Sequence, residues 1–175
     1  RDDFSHDAAQ EQAVKSLQRV YDELIVAAKP ASSVSKLFSA IGIKSTPTPV
    51  KGLYLWGGVG RGKTYLMDTF FDALPTDRKL RAHFHRFMHQ IHHDLGELKG
   101  VQDPLLTIAK KMASQYQIIC FDEFFVSDIT DAMLLGTLFQ ALFKEGVALV
   151  ATSNIIPDEL YKNGLQRVRF LPAIA

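Results

Sequence analysis

Residues Gly57, Gly58, Val59, Gly60, Arg61, Gly62, Lys63 and Thr64 spell a complete G-x-x-x-x-G-K-T run, directly after the apolar segment Leu53-Tyr54-Leu55-Trp56. This pattern constrains the fold more than any other feature, because it works only between a buried strand and a helix. The glycines let successive amides turn inward around phosphates, Lys63 reaches the outer phosphates, and the Thr64 hydroxyl is placed to ligate magnesium. Leu66, Met67, Phe70, Phe71 and Leu74 continue at helical spacing. The anion would therefore sit at a helix N-terminus, where unpaired amides and the macrodipole favour negative charge. The sequence thus predicts a nucleoside triphosphate site, and the absence of a guanine-reading N-K-x-D favours ATP.

Four apolar strand-like runs are predicted, Gly52–Trp56, Lys79–His85, Gln117–Phe121 and Val147–Thr152. Helical patterns separate them: from the loop to near Pro75, Arg86 to Lys99, Pro104 to Ser114, and Asp128 to Lys144. Strands alternating with helices of this length imply βαβ units, hence a three-layer α/β/α sandwich around a parallel sheet. An opening helix is expected from about Asp7, with a D-x-x-Q cap and an apolar stripe of Val14, Leu17, Val20, Tyr21, Leu24 and Ile25. Residues from about Ala27 to Pro49 are rich in Ser, Pro and Thr and read as a connector, with a short helix around Leu37, Phe38 and Ile41. The expected organisation is residues 1–50 as N-terminal helix and connector and 51–175 as the nucleotide-binding core.

With 175 residues and 47% apolar content the chain can bury one sizeable core. A net charge of +1 gives no overall basic field of the kind nucleic-acid binders carry, so no nucleic acid is expected. The basic segment Arg78, Lys79, Arg81 lacks the interleaved aromatics of a single-strand platform. Cys120, the one cysteine, excludes an internal disulfide and lies in an apolar run, which predicts a buried inert thiol. No stretch is long and apolar enough to span a bilayer, and a soluble protein is expected. The missing initiator Met suggests a chain that starts inside a longer gene product.

Ile118-Ile119-Cys120-Phe121 ends in Asp122-Glu123, the second signature of a phosphate-loop NTPase. Asp122 is expected to hold magnesium and Glu123 to orient and deprotonate the attacking water. Val147–Thr152 ends in Ser153-Asn154, and Asn154 at that carboxyl edge can hydrogen-bond the γ-phosphate and the lytic water. Pro157 to Gly164 reads as a short helix with Pro at its start and Asn-Gly as its stop. Beyond it lie Arg167 and Arg169, either of which could stabilise transition-state charge on a neighbouring subunit's γ-phosphate.

The run Gly52–Thr64, the segment His83-Phe84-His85-Arg86-Phe87-Met88, the block Cys120 to Met133, and Ala151 through Arg167 together resemble the ZapE family of cell-division ATPases. That family is the bacterial branch of an AAA+ group with mitochondrial members. The resemblance implies an AAA+ fold, hydrolysis of the ATP β-γ phosphoanhydride with Mg2+, and action on the tubulin-like division protein FtsZ. It also implies a cytoplasmic protein recruited to the division site and a homo-oligomer when complete and ATP-bound. It places the ATP loop at Gly57–Thr64, the metal and catalytic pair at Asp122 and Glu123, the first sensor at Asn154 and the arginine finger at Arg167. AAA+ proteins continue into a helical lid with a second sensor arginine, whereas this sequence stops at Leu171-Pro172-Ala173-Ile174-Ala175, so the lid is expected to be missing.

His83 and His85 alternate as on one face of a strand, and His89 and His93 share a helix face, so convergence on a metal is conceivable. The plainer expectation puts His83 and His85 on a sheet face near the strand's carboxyl end, contacting nucleotide or partner. Ser127 or Asp128 is expected to cap the following helix, and Phe124 and Phe125 to be packing residues. A nucleic-acid-associated AAA+ ATPase such as a helicase loader shares this core and is the alternative function. A small-molecule kinase has no use for Asn154 or Arg167.

Overall fold

The computed structural model describes residues 8–28, 50–165 and 167–168. The expected cap at Asp7, the connector beyond Ala28 with its short helix, and Arg169 to Ala175 lie outside the described residues. The elements in chain order are α1 (Ala8–Ala28), β1 (Leu53–Trp56), α2 (Lys63–Ala73), β2 (Lys79–His83), α3 (Phe84–Glu97), α4 (Pro104–Gln115), β3 (Ile118–Asp122), α5 (Ile129–Lys144) and β4 (Ala148–Ser153). A 3-10 turn at Pro157–Glu159 follows.

Among the described residues the strands form one all-parallel sheet in the order β1-β4-β3-β2. Both faces are covered, so the central strands read as continuous apolar runs. The two-residue period of a strand divides them between two cores. Ile118, Cys120, Ala148 and Val150 face α1 and α2, meeting Leu17, Val20, Leu24, Met67 and Phe70. Ile119, Phe121, Leu149 and Ala151 face α3, α4 and α5, meeting Phe87, Ile91, Ile108, Leu135 and Phe139. This is the expected three-layer sandwich.

Four local expectations change, the first being that the helix expected over Pro157 to Gly164 shrinks to the 3-10 turn at Pro157–Glu159, because Tyr161 and Asn163 beyond it take left-handed conformations that stop a helix. Val14 is half-exposed, because α1 presents Ala13, Leu17, Val20 and Leu24 to the core, steps of four, three and four. The helix also runs to Ala28, past the predicted start of the connector. β2 ends at His83, so His85 belongs to the first turn of α3 and does not share a strand face with it. The period switches there because Phe84, Phe87, Met88 and Ile91 are all buried at helical spacing, which holds the chain in a helix from Phe84 onward. Among the described residues no group of three potential ligands, histidines included, is arranged to hold a metal ion.

Helix ends follow their sequence signals. Asp128 caps α5 by accepting the Asp131 amide at 2.9 Å, with Asp131 itself in the first turn. Lys79 donates from Nζ to the carbonyls of Phe71 and Leu74 at 2.6 and 3.2 Å, satisfying the carboxyl end of α2. Gly52 is fixed by close approach: a Cβ there would stand 2.3 Å from the Leu149 carbonyl oxygen. Among the described residues no helix is long and apolar enough to cross a membrane.

Candidate nucleotide-binding site

β1 feeds the chain into the loop, and the Gly57 amide donates to the Ser153 carbonyl at 3.3 Å. Gly60 and Gly62 adopt φ of 80° and 75°, conformations that cost an L side chain about 1–2 kcal/mol. Gly62 turns directly into α2, whose first turn contains no acid. The helix therefore offers its unpaired amides and positive end with no internal anion competing for them. Lys63 and Thr64 open this helix. Lys63 Nζ donates to the carbonyls of Gly57 and Gly58 at 2.6 and 2.7 Å, which closes the loop on itself. Burial, with the nearby Arg61 charge, lowers the Lys63 ammonium below its ordinary range.

Beside the loop lies a cavity of about 390 Å3. Its walls are Ala9, Gln10 and Ala13 of α1 on one side and Trp56, Arg61 and Leu66 on the other. The apolar stripe of α1 by itself announces only packing. Gln10 stands close enough to the loop that a Cβ on Gly62 would lie 3.8 Å from its Nε2.

The acidic pair is held between two anchors. Phe121 and Phe124 are both buried and flank Asp122 and Glu123 in sequence. Phe121 packs on Phe87 at 4.7 Å between ring centroids, and Phe124 on Phe84 at 4.4 Å. Phe125, by contrast, is half-exposed, so the expected packing role holds for Phe124 alone. Glu123 has φ 56°, a left-handed conformation unusual for a side chain of its size. Hydrogen bonds from the neighbouring strand fix it there: the Phe124 amide donates to the Thr152 carbonyl at 2.8 Å, and the Glu123 amide reaches Thr152 Oγ1 at 3.4 Å. Ser153 Oγ donates to the Phe124 carbonyl at 2.7 Å. The result is an exposed Glu123 on a rigid base.

Asp122 is partly buried and bonded by Arg81, with Nε on Oδ2 at 2.7 Å and Nη2 on Oδ1 at 3.2 Å. In the sequence Arg81 stands out only as part of the basic segment Arg78, Lys79, Arg81. A charged residue inside a strand, two positions from His83 and on one face with it, was the available signal. The other two cations of that segment are also engaged internally, Lys79 on the end of α2 and Arg78 on the Ala113 carbonyl at 2.8 Å.

Because all strands are parallel, their carboxyl ends share one edge. Gly57–Thr64 follows β1, Asn154 is the exposed residue just past β4, and Asp122-Glu123 ends β3. β4 stands between the other two, and Trp56 pairs with Ser153. His83 pairs with Asp122 at the same edge on the outer strand. Arg167 belongs to another neighbourhood: its Nε and Nη2 donate to the carbonyls of Leu160 and Asp158 at 3.2 and 3.0 Å, bracing the turn after Pro157.

The chain is 56% identical over 174 residues to the cell division protein ZapE of Escherichia coli K12, an alignment covering 96% of this chain and 46% of that protein. The chain thus spans about half the length of the curated relative it matches. Among solved structures, DnaI superposes with a TM-score of 0.61 at 18% identity, over 99% of this chain and 79% of that one. The DnaC helicase loader gives 0.59 at 15% identity, over 98% and 87%. At such identities these likenesses show the fold alone. The model of the AFG1-like ATPase family matches residues 1–175, and the chain belongs to that family.

Proposed function

We propose that this chain is the ATP-binding and ATP-hydrolysing core of an AAA+ machine that remodels a protein partner, with residues 1–50 appended to a core at 51–175. The observation that carries the reading is the shared carboxyl edge of β1, β4 and β3, which holds the phosphate loop, Asn154 and the Asp122-Glu123 pair.

In this reading the amides of Gly57–Thr64 and the N-terminus of α2 bind the phosphates, and Lys63 exchanges its loop carbonyls for phosphate oxygens. The Thr64 hydroxyl and the Asp122 carboxylate are hard oxygen donors, the set Mg2+ prefers, and they would hold it. When bound, that ion neutralises charge on the β- and γ-phosphates. Glu123, exposed and fixed at its backbone, takes the proton of the attacking water. Asn154 orients that water and the γ-phosphate. Arg167 serves a neighbouring subunit's nucleotide in a homo-oligomer, a role supported by the exposed Leu165 and Val168 beside it.

The partner is the division protein FtsZ, in a cytoplasmic protein recruited to the division site. The similarity to a cell division protein supports this. The internal engagement of Arg78, Lys79 and Arg81 speaks against a nucleic-acid groove at that segment. Measuring phosphate release with Mg2+-ATP in the presence of polymerised FtsZ or of DNA tests the assignment. Stimulation by FtsZ is expected, and stimulation by DNA alone would favour a helicase-loader role.

A further inference from the structure

Arg81 is the middle member of a chain of three charges that joins β2 to β3 and to α2. Its guanidinium side bonds both oxygens of Asp122 on β3, and its Nη1 bonds Asp68 on α2. β2 and β3 are in register at Arg81 and Cys120, so Arg81 and Asp122 occupy the same face, the one covered by α2. The side chains of Arg81 and Asp122 are 22% and 13% exposed, so the pair is shielded from solvent more than a surface ion pair is. A guanidinium is not deprotonated in proteins, so Arg81 stays charged.

A carboxylate oxygen has two lone-pair directions, and the fork of Arg81 takes one from each oxygen of Asp122. One direction on each oxygen is left for water or a cation. The plane of the carboxylate is fixed by two bonds, which a single point donor could not do. Asp68 answers a second need. A guanidinium beside a divalent cation would repel it, and the Asp68 charge offsets that repulsion, giving the triad a net charge of about −1.

We infer that Arg81 is a positioning residue that holds the Asp122 carboxylate in the orientation in which it serves a nucleotide-bound divalent cation. The inference rests on the proposal that Asp122 is the metal-holding carboxylate. It links the helix that carries the phosphate loop to the strand that carries the acidic pair, through one side chain of the outer strand.

The test is the Mg2+ concentration that half-saturates the binding gain of a fluorescent ATP analogue, measured on the purified chain from an EDTA baseline. Orientation and charge predict opposite signs. Arg81→Gln removes a positive charge next to the cation, which by electrostatics alone would lower the Mg2+ requirement. Positioning predicts that the requirement rises about tenfold, the effect typical of lost outer-shell partners, with metal-free affinity for the analogue within twofold. Arg81→Lys keeps the charge and loses the fork, and it should shift the same way, which also serves if the Gln variant does not fold. Asp68→Asn should raise the requirement by a smaller factor. An unchanged or lowered Mg2+ requirement in Arg81→Gln or Arg81→Lys would overturn the inference. Asp122→Asn separates the underlying reading: if that variant keeps the wild-type Mg2+ dependence, Asp122 does not hold the ion, whatever Arg81 does.

Discussion

The amide of Gly57 and the carbonyl of Ser153 are hydrogen-bonded at 3.3 Å, so the first residue of the phosphate loop is tied to the last residue of β4. Asn154 follows at once. The same Ser153 donates through Oγ to Phe124 at 2.7 Å and accepts from the Ile155 amide at 3.1 Å. One serine thus joins the loop, the segment that carries Asn154 and the segment after the acidic pair.

Replacing that serine should therefore affect stability and chemistry together. Ser153→Ala leaves the buried Phe124 carbonyl without its donor, a loss of about 1–3 kcal/mol. Turnover should fall more than ATP affinity, because Asn154 and Glu123 lose their common support while the loop keeps its other contacts. Denaturant melts and a separation of kcat from KM check this.

Glu123 is expected to trade stability for function. Its φ of 56° suits glycine, so Glu123→Gly should raise unfolding stability by about 1 kcal/mol while abolishing hydrolysis. Glu123→Gln keeps the strain and should retain bound ATP without turning it over. If thermal melting showed Glu123→Gly to be less stable than Glu123→Gln, the left-handed backbone would not be a cost carried for catalysis.

Much of this was legible in sequence because the motifs are local. The loop, the acidic pair and Asn154 each end an apolar run, and parallel βαβ connections force those ends onto one edge. What was not legible depends on contacts between distant segments. Nothing near Arg81 in sequence announces Asp68 or Asp122, 13 and 41 positions away. The cavity wall from α1 needs the packing of residues 9–13 beside the loop. The His83-Phe84-His85 alternation imitates a strand, and only the burial of Phe87, Met88 and Ile91 decides for a helix.

Cys120 should be inert. Burial pushes its thiol from 9.0 up to about 12, and it lies between α2 and the sheet. A raised acid pKa means stability present below pH about 9 and lost as pH rises through about 12. Ellman's reagent at pH 8 should label it only on unfolding, and rapid labelling of the native chain would show that the α2 face opens.

Arg167 is expected to act across a subunit boundary. Arg167→Ala and Lys63→Ala subunits should each be nearly inactive, the former by roughly a thousandfold, and mixtures should regain activity. Because Arg167 also braces the turn at Asp158 and Leu160, melting temperatures belong beside the rates. Full activity of Arg167→Ala alone would move the finger role to Arg169.

The central claim, an ATP site built on Gly57–Thr64, is tested most directly by calorimetric titration of ATP with Mg2+ into the wild-type chain and into Lys63→Ala. The account predicts stoichiometric binding to the wild type and none measurable in the variant, because the ammonium that closes the loop would also hold the outer phosphates. Equal affinity in the two proteins would contradict it.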